Sequence, residues 1–262
     1  MFPFKDLKKY FSFLKSRKEK VTEPGLTLVG VGPGDPSLLT VAAVSAIQGA
    51  SLVAYPVAKM GSEGMAQKIA SEFLKGKKCM PILFPMITEI DALKDAWEEG
   101  SSQLVEAVRS GENVVLLCQG DPSLYATSSY ILLQISMNYP MCPLKVIPGI
   151  SSFNAAAAIA KLPLSLQNEE LSVSCVPDEH ESLELILDDF MSSRKVLVLL
   201  KLGKRWKWVR SILEEKKLLG NTLFVQRVGF PDQLIVQATD MPGHNVPYFS
   251  LLIIRKRPTL FD

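Results

Sequence analysis

From Leu26 to Ala160 short apolar runs alternate with segments of helical period, and this alternation restricts the possible fold more than any other feature. Leu26–Val31, Ser51–Tyr55, Met80–Phe84, Asn113–Cys118 and Lys145–Ile147 read as strands. Leu38–Gln48, Glu63–Leu74, Asp91–Arg109, Leu124–Met137 and Phe153–Ala160 read as helices, the last capped by Ser151 or Ser152. Strands that alternate with helices build a mostly parallel sheet, because a parallel pair needs a long crossover. Two of the strands run into glycine-proline turns, Gly30-Val31-Gly32-Pro33-Gly34-Asp35-Pro36 and Gln119-Gly120-Asp121-Pro122-Ser123-Leu124-Tyr125. Ligands of open α/β sheets bind beyond the carboxyl ends of the strands. Both turns fall there. Glycine lets backbone amides approach a ligand closely, and proline fixes the direction of the chain.

Beyond Leu162-Pro163-Leu164 the texture changes. Leu171–Val176, Val196–Leu200, Thr222–Arg227, Leu234–Thr239 and Tyr248–Arg255 read as strands, with only Ser182–Phe190 and Trp206–Leu218 as substantial helices. Short turns separate the last three strands, which predicts antiparallel neighbours. The expected organisation is an N-terminal α/β domain over residues 25–147 and a C-terminal α/β domain with a mixed sheet over 148–257. The hinge is expected within Lys145–Asn168. A basic arm (1–24) and a short tail (258–262) flank them. In the arm, Phe4, Leu7, Phe11 and Leu14 form a stripe at helical spacing among lysines. Such a segment either lies on a membrane surface or is a packed or partly disordered N-terminal arm.

A net charge of +2 over 262 residues gives no reason to expect nucleic acid as a partner. No apolar run reaches the roughly 18 residues of a spanning helix, so integral membrane association is not expected. Cys79, Cys118, Cys142 and Cys175 lack CxxC spacing, and buried thiols in a reducing compartment, the cytoplasm, are the expectation. The two histidines, His180 and His244, are too few for a histidine metal site, and no bound metal is expected. A dinucleotide fingerprint fails because Pro33 and Pro36 interrupt the first loop and no acidic residue lies near Tyr55 and Pro56. A phosphate loop fails for want of Gly-Lys-Ser/Thr. Taken singly, each turn is equally compatible with a plain strand-to-helix connection.

Taken together the motifs are far more specific. The sequence from Gly30 to Pro36, the run Gln119-Gly120-Asp121-Pro122-Ser123-Leu124-Tyr125 and the run Val146-Ile147-Pro148-Gly149-Ile150-Ser151-Ser152-Phe153-Asn154 resemble, in this order, the tetrapyrrole methylases. These are S-adenosylmethionine-dependent enzymes that methylate uroporphyrinogen and the precorrins. Phe84-Pro85-Met86 ahead of the helix with Trp97, the alanine-rich helix followed by Leu162-Pro163-Leu164, and Tyr248 to Lys256 narrow the likeness. They are similar to the members acting at carbon 20 of precorrin-2 or cobalt-factor II. The resemblance spans Leu26 to Lys256. It implies two α/β domains with the active-site cleft between them (the class III methyltransferase fold), and a homodimer.

The resemblance also implies site residues. S-adenosylmethionine would be contacted by Pro33 of the first turn, by Gln119, Gly120, Asp121 and Leu124 of the second, and by Ser151 and Ser152. Leu202 and Gly229 match the adenine-side contacts. Gln119 departs from the family, which has a small or apolar residue there; its amide either hydrogen-bonds the cofactor or crowds it. Methyl transfer from a sulfonium chiefly demands alignment of the attacking carbon, followed by removal of its proton by a base or by solvent. Asp35 is the first candidate for a carboxylate near the ring, and Tyr125 the second. Asp35 is equally placed to cap the helix starting at Pro36. A tetrapyrrole substrate carries several carboxylates, so Lys59, Lys201, Lys204, Arg205 and Arg227 are expected to line its site. One of Trp206 and Trp208, which point to opposite helix faces, could stack on the macrocycle. Two other readings stay open: another tetrapyrrole methylase such as the uroporphyrinogen-III C-methyltransferase, and a catalytically silent tetrapyrrole-binding relative.

Overall fold

A computed structural model describes residues 24–85, 87 and 89–256. The basic arm before Pro24, the tail after Lys256 and Met86 lie outside the described residues. The chain divides into two compact units, each built on a five-stranded sheet.

The first unit comprises residues 24–31 with Thr40–Gly149. Its elements are β1 (Leu26–Gly30), α1 (Val41–Gly49), β2 (Leu52–Val57), α2 (Met65–Ile69), β3 (Lys78–Leu83), α3 (Ile90–Arg109), β4 (Val114–Cys118), α4 (Thr127–Asn138) and β5 (Leu144–Ile147). The sheet is wholly parallel in the order β3-β2-β4-β1-β5. Leu26, Leu28, Val114 and Leu116 pack against Leu104 and Val108 of α3 and Ile131 and Ile135 of α4. The alternate residues Val29, Val115 and Leu117 are buried too, so both faces of the central strands are covered. That is why β4 reads as the unbroken apolar run Val-Val-Leu-Leu-Cys. The register pairs Gly30 with Cys118 and Val29 with Ile147, so the chain leaves β1, β4 and β5 along one edge.

Three predicted helices are shorter or broken. Leu38–Gln48 starts only at Val41, where the Thr40 hydroxyl accepts a hydrogen bond from Ala43 N at 3.0 Å. Glu63–Leu74 splits into α2 and a 3-10 turn over Ser71–Leu74. Tyr125, at φ 50°, lies outside the right-handed helical region, so α4 begins at Thr127 rather than Leu124.

The second unit comprises Gly32–Leu39 with residues 150–256. It contains α5 (Ser152–Ile159), β6 (Glu170–Cys175), α6 (His180–Ser192), β7 (Lys195–Leu200), α7 (Trp206–Glu215), β8 (Thr222–Gln226), β9 (Leu234–Gln237) and β10 (Ser250–Ile254). The sheet order is β6-β7-β10-β8-β9, with β6–β7 parallel and the remaining pairs antiparallel. β8 thus pairs with both β9 and β10, while β10 inserts beside β7. Period-two alternation divides the core. Leu197, Leu199, Phe224 and Leu252 face α6 and α7; Val196, Val198, Val225 and Ile253 face Phe153, Ala156 and Ala157 of α5.

The division differs from the expected boundary at 147/148 in one instructive way. Gly32–Leu39, which carries most of the first glycine-proline turn, belongs with the second unit. A Cβ on Gly34 would lie 2.7 Å from Val228 O and from a ring carbon of Phe230, and Leu38 joins the cluster around α5. Packing rather than chain order assigns this segment. Among the described residues no helix is long and apolar enough to cross a membrane.

Candidate active site

In the first unit the ends of β1, β4 and β5 meet as bare backbone. Val31 N donates to Cys118 O at 2.9 Å, extending the β1–β4 ladder by one bond. A Cβ on Gly30 would stand 2.7 Å from Gly120 O, and one on Gly149 would collide with that same carbonyl. Gly120 itself has φ 71°, and a Cβ there would meet no atom within 4 Å. The turn therefore presents an open, side-chain-free backbone at the sheet edge, a cradle suited to a ligand held through main-chain groups. Gln119 is half-buried beside it, and Leu124 and Tyr125 are exposed.

Asp121 is the organiser of this turn. Its Oδ1 accepts from Ser123 N at 2.8 Å and from the Ser123 hydroxyl, and its Oδ2 accepts from Gly149 N at 2.9 Å. Both oxygens are engaged by protein donors. The Ser129 hydroxyl donates to Pro122 O at 2.8 Å and Ser128 to the Cys118 sulfur at 2.9 Å, which ties the start of α4 to the same turn.

Burial pushes the Cys118 thiol up to about 12, against the lowering effect of the Ser128 hydrogen bond. Cys118 is thus a neutral, packed thiol at physiological pH. Cys142 is buried, Cys175 is half-buried and Cys79 is exposed, so Cys79 departs from the expectation of buried thiols. Partial burial raises the Cys79 thiol as well, but an aromatic disulfide reagent at pH 8 is expected to modify exposed Cys79 faster than buried Cys118 in the native protein. Equal labelling rates by mass spectrometry would contradict this.

In the second unit the Pro33-Gly34-Asp35 segment lies on the turn after β8. A Cβ on Gly229, at φ 83°, would come within 2.6 Å of Asp35 N, and Gly229 N donates to Gln233 Oε1 at 3.0 Å. The Asp35 carboxylate accepts from Ser37 N at 2.8 Å and caps the short turn Pro36–Leu38, so the capping role is present. Ser151 flanks the start of α5, but its hydroxyl makes no capping hydrogen bond. Leu202 is a core residue. Its side chain is fully buried, its N–H donates to Ser250 O and its carbonyl accepts from Arg205 N.

The predicted cations divide. Lys59 is exposed in the first unit and Lys204 in the second. Arg205 is paired with Asp178, and Arg227 with Asp232 at 2.7 Å while also lying 4.6 Å from the Phe230 ring centre. The Lys201 ammonium lies 5.9 Å from the Tyr248 ring centre. Neither tryptophan is an open platform: Trp206 is wholly buried with its N–H on Pro242 O, and Trp208 stacks on His180 at 4.3 Å. The expected site residues do not include one exposed aromatic pair. Tyr248 and Phe249, immediately before β10, meet edge to face at 5.4 Å and are both about two-fifths exposed (38% and 40%). Their position just ahead of an apolar strand was the available signal. Among the described residues no cluster of three or more His, Cys, Asp or Glu is placed to hold a metal ion.

A wholly parallel first sheet whose strands end in glycine turns and a mixed second sheet make a two-domain α/β architecture. The chain belongs to the tetrapyrrole (corrin/porphyrin) methylases, whose family model matches residues 25–240. It is 28% identical over 235 residues to the precorrin-2 C(20)-methyltransferase of a Sinorhizobium species, covering 86% of this chain and 93% of that protein. It is also 28% identical over 243 residues to the cobalt-precorrin-2 C(20)-methyltransferase of Salmonella typhimurium, covering 88% and 96%. Identity to the cobalamin biosynthesis protein CobIJ of Mycobacterium tuberculosis is 31% over 235 residues, 86% of this chain, and the chain spans 45% of that protein's length. Among solved structures, the methyltransferase CobJ aligns with a TM-score of 0.66 at 20% identity, covering 90% of this chain and 95% of its own. The uroporphyrin-III C-methyltransferase of Thermus thermophilus complexed with S-adenosylhomocysteine aligns at 0.61 and 22% identity, covering 88% and 97%. These likenesses establish the two-domain tetrapyrrole methylase fold.

Proposed function

We propose that the protein is an S-adenosylmethionine-dependent C-methyltransferase of cobalamin biosynthesis, acting at carbon 20 of precorrin-2 or its cobalt-containing analogue. The observation that carries the position of methylation is the near full-length likeness to two C(20)-methyltransferases, 93% and 96% of their lengths. The open Gly120 backbone supports the cofactor reading, because it offers main-chain groups at a strand end with no side chain above them.

S-adenosylmethionine, when bound, supplies a methyl group on a positively charged sulfur. Gln119, Gly120, Asp121 and Leu124, with Pro33, Ser151, Ser152, Leu202 and Gly229, are the residues that would hold it. The protein's work is then alignment, which needs no covalent nucleophile. Asp35, oriented by Ser37 N, is the group that takes the proton from the methylated carbon, with Tyr125 as the second polar group. Lys59, Lys201, Lys204, Arg205 and Arg227 face the substrate carboxylates, the two arginines while also paired with Asp178 and Asp232. The working form is a homodimer in the cytoplasm.

The test is transfer of an isotope-labelled methyl group to metal-free and to cobalt-loaded precorrin-2, with the labelled carbon located by NMR. Label at carbon 20 of either substrate is the expected result. Label at another ring carbon would reassign the enzyme within the family, as for a uroporphyrinogen-III methylase. Tight tetrapyrrole binding without label would make it a carrier.

A further inference from the structure

We propose that Asp121 is a positioning residue: its carboxylate latches the β4 turn to the Gly149 amide and thereby sets the backbone cradle in which the cofactor is held. The inference rests on the methyltransferase reading above and changes the part Asp121 plays in it, from ligand contact to internal brace.

A carboxylate offers two oxygens, and each already accepts a protein donor here. Oδ1 serves Ser123, through the backbone N–H at 2.8 Å and through the hydroxyl, and Oδ2 serves Gly149 N at 2.9 Å. Asp121 and Ser123 lie in the turn after β4 and Gly149 lies just after β5, so the Gly149–Asp121 bond is tertiary while the Ser123–Asp121 bonds are local. The neighbouring geometry shows why a brace is needed. Gly30, Gly120 and Gly149 approach backbone to backbone, and the Gly120 carbonyl points at the position a Gly149 side chain would take. No side chain can wedge these turns in register, because every position in the contact is glycine. The Gly149 N–H would compete for Gly120 O or for water without the carboxylate; with it, the peptide on the N-terminal side of Gly149 is fixed two residues before Ser151. A charged acceptor makes this hydrogen bond stronger than a neutral one.

Asp121→Asn keeps the size of the side chain and leaves one acceptor oxygen for two clients. If that oxygen stays with Ser123, an amide N–H₂ confronts Gly149 N–H. Ser123→Ala is the companion, because it removes one client and leaves the Oδ2–Gly149 bond in place.

The Gly149 amide resonance in a transverse-relaxation-optimised 15N spectrum reads the latch directly, and calorimetric titration with S-adenosylhomocysteine reads the cradle. In the wild type the Gly149 amide proton is expected well downfield, and it should move upfield in Asp121→Asn. The same variant should bind S-adenosylhomocysteine about ten- to a hundredfold more weakly, the worth of one hydrogen bond to a charged group. Ser123→Ala should retain both the resonance and most of the affinity. Weaker binding with an unmoved Gly149 resonance would mean that Asp121 contacts the ligand itself, and the latch fails. A moved resonance with wild-type affinity would make the bond purely structural, which also overturns the proposal. Failure of the wild-type protein to bind S-adenosylhomocysteine would defeat the cofactor reading, a separate result that the wild-type titration gives alone.

Discussion

Gly149→Ala is expected to destabilise the first unit by about 3 kcal/mol, the upper part of the range for forcing extra volume into a packed site. The added Cβ would collide with the Gly120 carbonyl and lie 2.8 Å from Gly30 Cα. Both neighbours are backbone in the turns that end β4 and β1, so neither can rotate away as a side chain would. Relief would require one strand end to shift, breaking the register that brings Gly30, Cys118 and Ile147 to one edge. Binding of S-adenosylhomocysteine should be lost together with stability. Gly120→Ala provides the contrast. Its Cβ enters open space, and the cost comes only from the positive φ of 71°, roughly 1–2 kcal/mol. Urea denaturation of the two variants should rank them in that order; an equal or inverted ranking would show that the three-glycine contact yields more readily than its geometry implies.

Arg255→Ala should be about as damaging, by about 3 kcal/mol, the low end for a broken buried pair, because Arg255 is buried while its partner Glu169 keeps 25% of its side-chain surface exposed. The Arg255 side chain is 5% exposed, just past β10. Its guanidinium pairs with Glu169 at 2.6 Å and donates to Pro163 O. Glu169 in turn accepts from Leu166 N at 2.8 Å. One arginine therefore anchors the whole Leu162–Glu169 connection that leads from α5 into β6. Removing it leaves the Glu169 carboxylate and the Pro163 carbonyl without their donor. The pair replaced together, Arg255→Met with Glu169→Leu, should recover a substantial part of the loss, since no uncompensated charge remains. Chemical denaturation of the single and double variants measures this. A double variant less stable than the single one would mean that the ion pair itself, and not the stranded charge, dominates.

The same two regions show where reading the chain succeeds. The strands of both sheets were legible within a residue or two, because β1, β4, β7 and β10 are buried on both faces and so remain apolar along their length. The helix ends were not. Asp35 and Thr40 cap two successive short segments where periodicity suggested one helix, and the positive φ of Tyr125 delays α4. Tyr248 and Phe249 read only as the start of a strand because two aromatics beside an apolar run look like more core, and only their exposure distinguishes them. Leu202 shows another limit of the chain text: its motif suggested a contact residue and said nothing of its side chain, which the fold buries entirely.

The amino-acid order by itself determined the α/β class, the parallel first sheet and the family, since periodicity and the glycine-proline turns are local properties written in consecutive residues. Tertiary structure alone decided that Gly32–Leu39 belongs with the second unit, that Asp121 spends its carboxylate on Gly149 and Ser123, and that Asp178 and Asp232 neutralise two of the expected cations. The physical reason is the same in each case. Packing and electrostatics fall off over a few ångströms of space, and residues 28 apart in the chain, such as Asp121 and Gly149, become partners only when strands β4 and β5 end at the same edge.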